Sequence, residues 1–414
     1  MPRLKGFAKL INVDEALSIL LKTIELRRPE PTSVPIEEAS GRVITADILA
    51  PFDLPPFNRS AVDGYAVRAR DTFEASPFKP KILQLTSQDN IGKGLAKIIW
   101  TGNPLPKGSD AVIMLEYTKA TNGKIEVLAA LAPGKNISKK GEDFYKGNVV
   151  VASGTRLRAH HVSLLAALGI SEVDVAEKPK IAILSTGNEL VELGNNPRPN
   201  QIINSNRFMI SSLIAELGAD PLNLGIARDN QDEISAKITQ GLKKTDMVIT
   251  TGGTSVGAHD LVTIAINKLG KPGVLVHGVA LRPGMPTGLA VLEGKPILIL
   301  SGYPVAATIG FEVFARPVIH KLLGLENEPR PMLKAKLIER VVASLGRRVY
   351  LRVNVFFRDG DFLVAPISTQ GSGLLTPMTK ANGYVIVPEN EEGLDEGEIV
   401  LAHLFAPIGG VKDV

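Results

Sequence analysis

At 414 residues, with 44% hydrophobic and 22% charged residues, the chain has the composition of a soluble globular protein of several domains. It contains no cysteine, which excludes disulfides and thiolate chemistry and favours a cytoplasmic protein. The net charge is +4, but the 47 basic residues are scattered among 43 acidic ones, so we expect no nucleic-acid surface. No apolar run reaches the roughly 18 residues of a membrane span, so we expect no membrane insertion.

The first part of the chain predicts two helices separated by a β-rich module. Apolar residues recur at helical spacing after the cap residue Asn12, as far as Ile24. Short strand-like segments and turn signals such as Asn122-Gly123 fill the stretch 64–132, and a Leu-rich helix is predicted over 160–168. We therefore expect a split helical domain with a β domain inserted into it, with boundaries at 7–45 plus 140–178 and at 46–139.

The rest of the chain predicts an alternating α/β domain followed by more strands. From Pro179 to Leu323, strand patterns and helix patterns alternate, which favours a parallel, doubly wound sheet with its ligand site at the carboxyl ends of the strands. Pro329-Arg-Pro331 marks a boundary, and only strand patterns follow it. The predicted domains are 179–326 and 327–408.

A glycine-rich turn within the α/β domain predicts an anion site. The apolar strand Met247–Thr250 leads into Gly252, Gly253 and Gly257, and a helical pattern begins after Asp260. Backbone amides in such a turn, together with the positive end of a helix dipole, bind phosphate. A carboxylate beside a phosphate requires a cation between them, so Asp260 indicates a divalent metal, magnesium before zinc. The alternative is a tight turn in which Asp260 only caps the helix.

Other acids fall where the predicted strands end. Glu189 follows the strand 181–184, Asp229 follows 222–227, and Ser301-Gly302 follows 297–300. Parallel packing would bring these loops to one edge, so that Glu189, Asp229 and Asp260 share a cation and Thr251 to Ser255 hold a phosphate. Each residue also has a plain structural explanation as a cap, a turn or a solvated side chain.

Polar turns elsewhere in the chain have both a structural and a functional explanation. Asp63 and Asp143 each lie in a turn that contains a glycine, and Thr101 begins another turn. Basic counterparts are Arg282, Arg347 and Arg352, whose side chains suit bidentate contact with an oxyanion. Their alternative is a surface loop and an edge strand.

Seven motifs in one order resemble the molybdopterin molybdenumtransferases, the family of the bacterial MoeA proteins and the gephyrin E domain. The resemblance runs from about residue 10 to residue 405. The motifs are Asn58-Arg-Ser-Ala-Val-Asp-Gly-Tyr-Ala-Val67, Thr101-Gly-Asn-Pro-Leu-Pro106, Gly141-Glu-Asp143, Ser185-Thr-Gly-Asn-Glu-Leu190, Thr251-Gly-Gly-Thr-Ser-Val-Gly257 with Asp260, Arg282-Pro-Gly-Met-Pro286 and Gly302-Tyr-Pro-Val305.

The resemblance implies a magnesium-dependent enzyme that inserts molybdate, or tungstate, into adenylated molybdopterin and releases AMP. It implies four domains, the last a β barrel, and a homodimer whose active cleft lies at the protomer interface, with the molybdopterin adenylyltransferase as a transient partner. Catalytic residues would be Asp63, Thr101, Asp143, Glu189, Asp229 and Asp260, with Glu189, Asp229 and Asp260 on the metal. Substrate would contact Thr251, Gly252, Gly253, Ser255, Gly257, Arg282, Ser301, Gly302, Arg347, Arg352 and Ser372.

The sequence departs from the family pattern at four positions. Arg282 and Met285 stand where lysines are usual, so that the charge is kept at 282 and lost at 285. Tyr303 stands where asparagine is usual, and Asn188 where aspartate is common. Two alternative functions follow from the same resemblance. One is a non-catalytic scaffold of the gephyrin type, and the other is the related adenylyltransferase, which shares only the α/β domain.

Overall fold

The computed structural model describes residues 10–25, 29–253, 260–326, 328–367 and 373–408. The described residues form two compact units. The larger unit is drawn from Met1–Thr32, Gly41–Val43 and Val175–Val414, and the smaller unit from Ser33–Ser40 and Ile44–Asp174. Strands Pro31–Pro35 and Glu172–Ala176 span the chain positions at which one unit gives way to the other.

The smaller unit is built around a six-stranded sheet. Leu83, Ile125 and Val127 are fully or almost fully buried on one face of it. Asn122 and Gly123 both have positive φ, 48° and 76°, and form the two-residue turn that the sequence predicts between two antiparallel strands. The strand order is Ala111–Met114, Gly64–Val67, Leu95–Ile99, Lys81–Leu85, Lys124–Val127 and Thr118–Thr121.

Shorter elements complete the smaller unit. Strand Ile48–Leu49 pairs with Val149–Val151, and Arg59–Ser60 pairs with Ile137–Ser138. The α-helix is Ala159–Ala167, and the 3₁₀ segments are Ile36–Glu38, Ala69–Thr72 and Leu115–Tyr117.

The α/β part of the larger unit contains a second six-stranded sheet. Its first four strands are parallel, as the sequence predicts. The last two strands join the sheet through antiparallel pairings. Glu293 and Gly294 form a positive-φ turn that reverses the chain, so that Gly288–Leu292 is antiparallel to both of its neighbours. The order is Asp220–Ala227, Lys180–Thr186, Met247–Thr251, Lys295–Leu300, Gly288–Leu292 and Pro272–His277.

Alternation along the central strands gives the sheet two apolar faces. Ile181 and Ile183 point to one face, whereas Ala182 and Leu184 point to the other. Helices Gln231–Lys244 and Leu261–Leu269 cover the second face. The first face is covered by helix Asn206–Glu216, by the segment 304–322 and by the N-terminal helix Val13–Thr23.

The segment 304–322 is one helical stretch with a change of winding. An α-helix over Pro304–Gly310 passes into a π-helix over Phe311–Ala315 and then into an α-helix over Arg316–Leu322. The π segment carries Glu312, whose carboxylate accepts hydrogen bonds from Arg316 and Arg330 at 2.8 Å. Glu312, Arg316 and Arg330 thus form a charged cluster.

The C-terminal part is a closed five-stranded barrel, which confirms the β barrel that the resemblance implies. The ring runs through Arg348–Arg358, Asp361–Pro366, Met332–Leu337, Ile399–Leu404 and Gly383–Val387, and the last strand pairs back with the first. Accessory elements are strands Leu190–Val191, Ile202–Ile203, Leu281–Arg282, Val341–Val342 and Gly393–Leu394, and helix Thr376–Lys380. Within the described ranges, no helix has the length and apolarity needed to cross a bilayer. The predicted domain boundaries stay a prediction.

Candidate active site

Four strand ends converge at one edge of the α/β sheet. Thr186 lies beside Ala227 in the register of the parallel strands, and Thr251 lies between Ser185 and Leu300. The loops that follow these residues therefore begin side by side. This is the edge at which open α/β sheets bind their ligands.

The turn after strand Met247–Thr251 requires glycine at two positions. Gly252 and Gly253 have φ angles of 91° and 67°. A Cβ atom at Gly252 would lie 2.4 Å from the Thr186 carbonyl oxygen, and one at Gly253 would lie 2.6 Å from Val262 Cγ2. The backbone is therefore pressed against its neighbours, with no side chain between it and a ligand. Ser255 and Gly257, which were predicted for the same turn, lie outside the described residues.

A cavity of about 1040 Å³ opens at this edge, within the larger unit. Its lining includes both polar loops and the glycine turn. The predicted site residues that it brings together are Glu189, Asp229, Thr251, Gly252, Gly253, Ser301 and Gly302. We call this space the carboxylate cavity.

Reciprocal hydrogen bonds from backbone amides to side-chain oxygens tie the Glu189 loop to Asp229. The Asn188 amide donates to Asp229 Oδ2 at 3.3 Å, and the Asp229 amide donates to Asn188 Oδ1 at 3.2 Å. Arg228 Nη1 donates to the carbonyls of Asn188 and Leu190 at 3.1 and 3.0 Å. The departure at Asn188 thus keeps a side-chain oxygen that ties the Glu189 loop to Asp229.

Asp260 has a different environment from the other two acids. It is 3% exposed and caps helix Leu261–Leu269, because its Oδ1 accepts from the Thr263 amide at 3.0 Å. Its Oδ2 lies 3.0 Å from His277 Nε2. Oδ1 therefore acts as the helix cap, which is the structural alternative, whereas Oδ2 is buried and forms no hydrogen bond in the described part of the chain. Across the described ranges, no three Asp, Glu or His side chains group closely enough to hold a metal.

Buried polar side chains that the sequence reasoning missed also form the cavity wall. Thr186 Oγ1, Asn204 Nδ2 and Asn206 Oδ1 are buried and find no hydrogen-bond partner in the described part of the chain. All three residues line the carboxylate cavity. Since buried polar atoms are normally satisfied, these groups fit a polar ligand. A signal for two of them is the polar run Asn204-Ser205-Asn206, which precedes a helical pattern.

These groups are held by a chain of hydroxyl and amide contacts. Thr251 Oγ1 donates to Ser185 Oγ at 3.2 Å, and Ser185 Oγ donates to Asn204 Oδ1 at 3.0 Å. Asn206 Nδ2 donates to the Gly302 carbonyl at 2.7 Å. The predicted residues Thr251 and Gly302 therefore position the neighbouring asparagines as well as lining the cavity themselves.

A second cavity, of about 510 Å³, is lined by three arginines. Arg282, Arg347 and Arg352 all border it, together with Met285 and Ser301. Arg352 is 4% exposed, and this burial lowers the pKa of its guanidinium. We call this space the arginine cavity. Ser372, which was predicted with these residues, lies outside the described ranges.

The two cavities share part of one wall. Pro286, Ser301 and Tyr303 line both of them. The Tyr303 amide donates to Ser301 Oγ at 3.2 Å, which fixes the turn between the last parallel strand and the following helix. An oxyanion in one cavity would thus be next to an anion held in the other.

The three remaining predicted residues lie in the smaller unit. Thr101 donates its amide and its hydroxyl to Asp63 Oδ1, each at 2.7 Å. These bonds lower the pKa of the Asp63 carboxyl below its ordinary value of 3.8. Asp143 is exposed, and its amide donates to the Leu54 carbonyl at 3.0 Å. Asp63 and Thr101 are therefore in direct contact.

Models of known families match three successive stretches of the chain. The MoeA N-terminal region (domain I and II) matches residues 11–169. The "Probable molybdopterin binding domain" matches residues 182–321, and the MoeA C-terminal region (domain IV) matches residues 334–405.

Relatives match over nearly the whole chain. The molybdopterin molybdenumtransferase of Bacillus subtilis is 36% identical over 396 residues, which cover 93% of this chain and 92% of the relative. The protein of the same name from Haemophilus influenzae is 32% identical over 414 residues, with 96% and 99% covered. A crystal structure of the molybdopterin biosynthesis moeA protein from Pyrococcus horikoshii OT3 has 35% identity and a TM-score of 0.83, covering 96% of this chain and 100% of that one.

Proposed function

Because this chain belongs to the MoeA family of molybdopterin molybdenumtransferases, we propose that it inserts molybdate or tungstate into adenylated molybdopterin and releases AMP. The observation that carries the proposal is the shared wall of the two cavities. One cavity has carboxylates and a glycine turn, and the other has arginines. A substrate with a diphosphate and a site for an incoming oxyanion needs both environments side by side.

The diphosphate of this substrate belongs in the carboxylate cavity. The glycine turn at Gly252 and Gly253 offers backbone without side chains. Thr186 Oγ1 is a buried hydroxyl that can donate to a phosphate oxygen, and Asn206 Oδ1 is a buried acceptor for a ribose hydroxyl. Asn204 Nδ2 is a further donor. These residues orient the phosphoanhydride bond and exclude water from part of it.

Magnesium fits the donor set of the same cavity. Glu189 and Asp229 both line it, and magnesium in proteins is commonly held by one or two carboxylates plus substrate phosphate oxygens. When bound, the ion supplies charge neutralisation at the leaving phosphate. The third ligand predicted from the sequence, Asp260, faces His277 and Thr263 in the structure. Ligation by Asp260 would therefore use its Oδ2, which makes no hydrogen bond within the described residues and lies 3.0 Å from His277 Nε2.

The oxyanion belongs in the arginine cavity. Arg282, Arg347 and Arg352 supply positive charge there, and Ser301 supplies a hydroxyl on the shared wall. Arg282 is itself held by a 3.2 Å contact from its Nη1 to Ser344 Oγ. Fixed guanidinium groups suit a tetrahedral dianion because they provide several donors without reorganisation. The charge of Arg282 retains the cationic character of the usual lysine, and the arginines at 347 and 352 add to it.

We further propose a cytoplasmic homodimer in which Asp63, Thr101 and Asp143 of one protomer serve the active cleft of its partner. The Asp63 carboxylate, kept ionised by Thr101, is suited to face a cation or to accept a hydrogen bond there. The adenylated substrate would be handed over by a molybdopterin adenylyltransferase. Mixed dimers of Asp63→Asn and Asp229→Asn chains would contain one intact cleft each. Co-expression should then restore about a quarter of the wild-type activity, and no restoration would refute a shared cleft.

The proposed reaction is tested by AMP release. Purified protein is incubated with adenylated molybdopterin and magnesium, with and without molybdate. We expect AMP to form only with molybdate, and the pterin product to activate a molybdenum-free apoenzyme. AMP formation that is independent of molybdate would indicate a plain hydrolase, and no AMP above background would refute the proposal.

A further inference from the structure

Tyr303 occupies the boundary between the two cavities. It lines both of them, and the residue is 61% exposed. Ser301, two positions earlier, is 4% exposed. An exposed aromatic ring at this boundary can contact a ligand that extends from one cavity into the other.

The backbone that carries this ring is held in place on both sides. The Tyr303 amide donates to Ser301 Oγ at 3.2 Å, and its carbonyl accepts from the Ala307 amide at 2.9 Å. Pro304 occupies the first position of the following helix, where its fixed φ suits the helical turn. The ring therefore projects from a rigid helix start.

One edge of the ring packs against a residue that has no side chain. A Cβ atom at Gly373 would lie 3.2 Å from Tyr303 Cδ1 and 3.4 Å from Cε1, closer than most Cβ contacts. Gly373 itself lines the carboxylate cavity. The absence of a side chain at position 373 thus leaves room for the present orientation of the Tyr303 ring.

We infer that Tyr303 is a substrate-binding residue, whose ring stacks on the fused pterin ring system of the substrate. This inference rests on the proposed function. The diphosphate arm and the two sulfur atoms that receive the metal are both carried by that fused ring system, on its pyran ring. With the diphosphate at the glycine turn and the oxyanion among the arginines, the ring system itself must lie at the boundary of the two cavities, where Tyr303 is. The adenine, on the far side of the diphosphate, lies away from Tyr303.

Steady-state kinetics with Tyr303→Phe and Tyr303→Leu test this inference, because phenylalanine retains the ring and leucine does not. Aromatic stacking on a heterocycle contributes about tenfold or more to affinity. We expect Tyr303→Leu to raise KM for adenylated molybdopterin at least about tenfold with kcat within about threefold, and Tyr303→Phe to keep KM within about twofold. Inhibition by AMP, which has no pterin, should be unchanged in both variants.

Two further variants complete the test. Phe357→Leu removes another exposed aromatic ring, one that lines neither cavity, and should match the wild type. Gly373→Ala displaces the Tyr303 ring without removing it, and should raise KM by a smaller factor than Tyr303→Leu.

Each contrary result has a distinct meaning. A wild-type KM in Tyr303→Leu would overturn the inference while leaving the proposed function intact. An equal rise of KM in Tyr303→Phe and Tyr303→Leu would assign the effect to the hydroxyl. A rise in the inhibition constant of AMP as large as the rise in KM would assign the ring to adenine. Either result overturns pterin stacking. Absence of molybdate-dependent turnover in the wild type would instead refute the proposed function, and the inference with it.

Discussion

The hydroxyl and the backbone amide of Thr101 converge on a single oxygen of Asp63, each at 2.7 Å. The two residues come from separate motifs 38 positions apart. Because hydrogen bonds to a carboxylate favour its charged form, they lower the pKa of Asp63. Asp63 is therefore ionised at neutral pH, and it is suited to accept a hydrogen bond or face a cation rather than to donate a proton.

Removing the hydroxyl should raise the pKa of Asp63. In Thr101→Val the amide bond remains, so we expect the pKa to move part of the way toward its ordinary value of 3.8. Carboxyl carbon NMR titration measures this shift, with the resonance assigned by its loss in Asp63→Asn. The Glu74 carboxyl, which Lys79 stabilises in the same unit, is the internal control and should not move. An unchanged Asp63 titration would show that the hydroxyl bond has no energetic effect.

The two possible roles of Asp260 are separable by an isosteric substitution. Asparagine is as good a helix cap as aspartate, so Asp260→Asn should retain the bond from the Thr263 amide and change the melting temperature little. If the carboxylate also binds magnesium, its loss should lower molybdate-dependent AMP release by about tenfold or more. That loss is the result we expect. Full turnover at the wild-type magnesium requirement would leave Asp260 with the structural role alone.

Because the Gly252 backbone approaches Thr186 closely, replacing Gly252 should reduce stability and activity more than its φ angle alone explains. Gly252 and Gly360 share a φ of 91°, but a Cβ at Gly252 would lie 2.4 Å from the Thr186 carbonyl, whereas one at Gly360 meets nothing within 4 Å. Alanine at either position incurs the same backbone strain, about 1 kcal/mol or more. Only Gly252→Ala should in addition displace the strand end and reduce AMP release. Comparable loss of stability and activity in both variants would contradict this account.

The charged cluster around Glu312 should make the larger unit sensitive to acid. Burial of Glu312 opposes its ionisation, but Arg330 and Arg316 outweigh that effect and lower the pKa of the carboxyl below its ordinary 4.5. A depressed pKa stabilises the fold above the unfolded value, and this contribution is lost as pH falls through the folded pKa. Glu312→Gln should therefore cost roughly 3 kcal/mol at neutral pH, the magnitude typical of breaking a buried ion pair.

Urea denaturation at several pH values measures this contribution. The difference between wild type and Glu312→Gln should be largest at neutral pH and should shrink as pH falls below 4.5. Glu339→Gln, on the exposed surface, is the matched control and should show no such dependence. A difference that grows on acidification would have the wrong sign for a carboxylate with a lowered pKa.

Local patterns predict most elements of the larger unit because each pattern contains its own boundary signals. Asn230 caps helix Gln231–Lys244 by accepting from two amides, and apolar alternation defines the central strands. Parallel packing of these strands was enough to predict that the loops bearing Glu189 and Asp229 meet. The antiparallel strand Gly288–Leu292 could have been recognised as well, since Glu293-Gly294 is a two-residue hairpin turn.

Interactions between distant segments were not predictable from the sequence. An amphipathic pattern does not specify a partner, and helix Val13–Thr23 packs on the α/β sheet, whereas Ala159–Ala167 belongs to the smaller unit. No motif pairs Asp260 with His277. The buried polar atoms of Thr186 and Asn206 that lack hydrogen-bond partners in the described residues point to a ligand only when their burial is known, because the same residue types are satisfied by water on a surface.

The most direct measurement of the central claim is AMP release as a function of molybdate concentration for the wild type, Glu189→Gln and Arg282→Gln. If one cavity holds the diphosphate and the other the oxyanion, Glu189→Gln should release little AMP at any molybdate concentration, because its defect lies in the carboxylate cavity. Arg282→Gln should need about tenfold more molybdate but approach the wild-type maximum. Identical molybdate dependence of the two variants, or AMP release that ignores molybdate altogether, would contradict a division of the reaction between the two cavities.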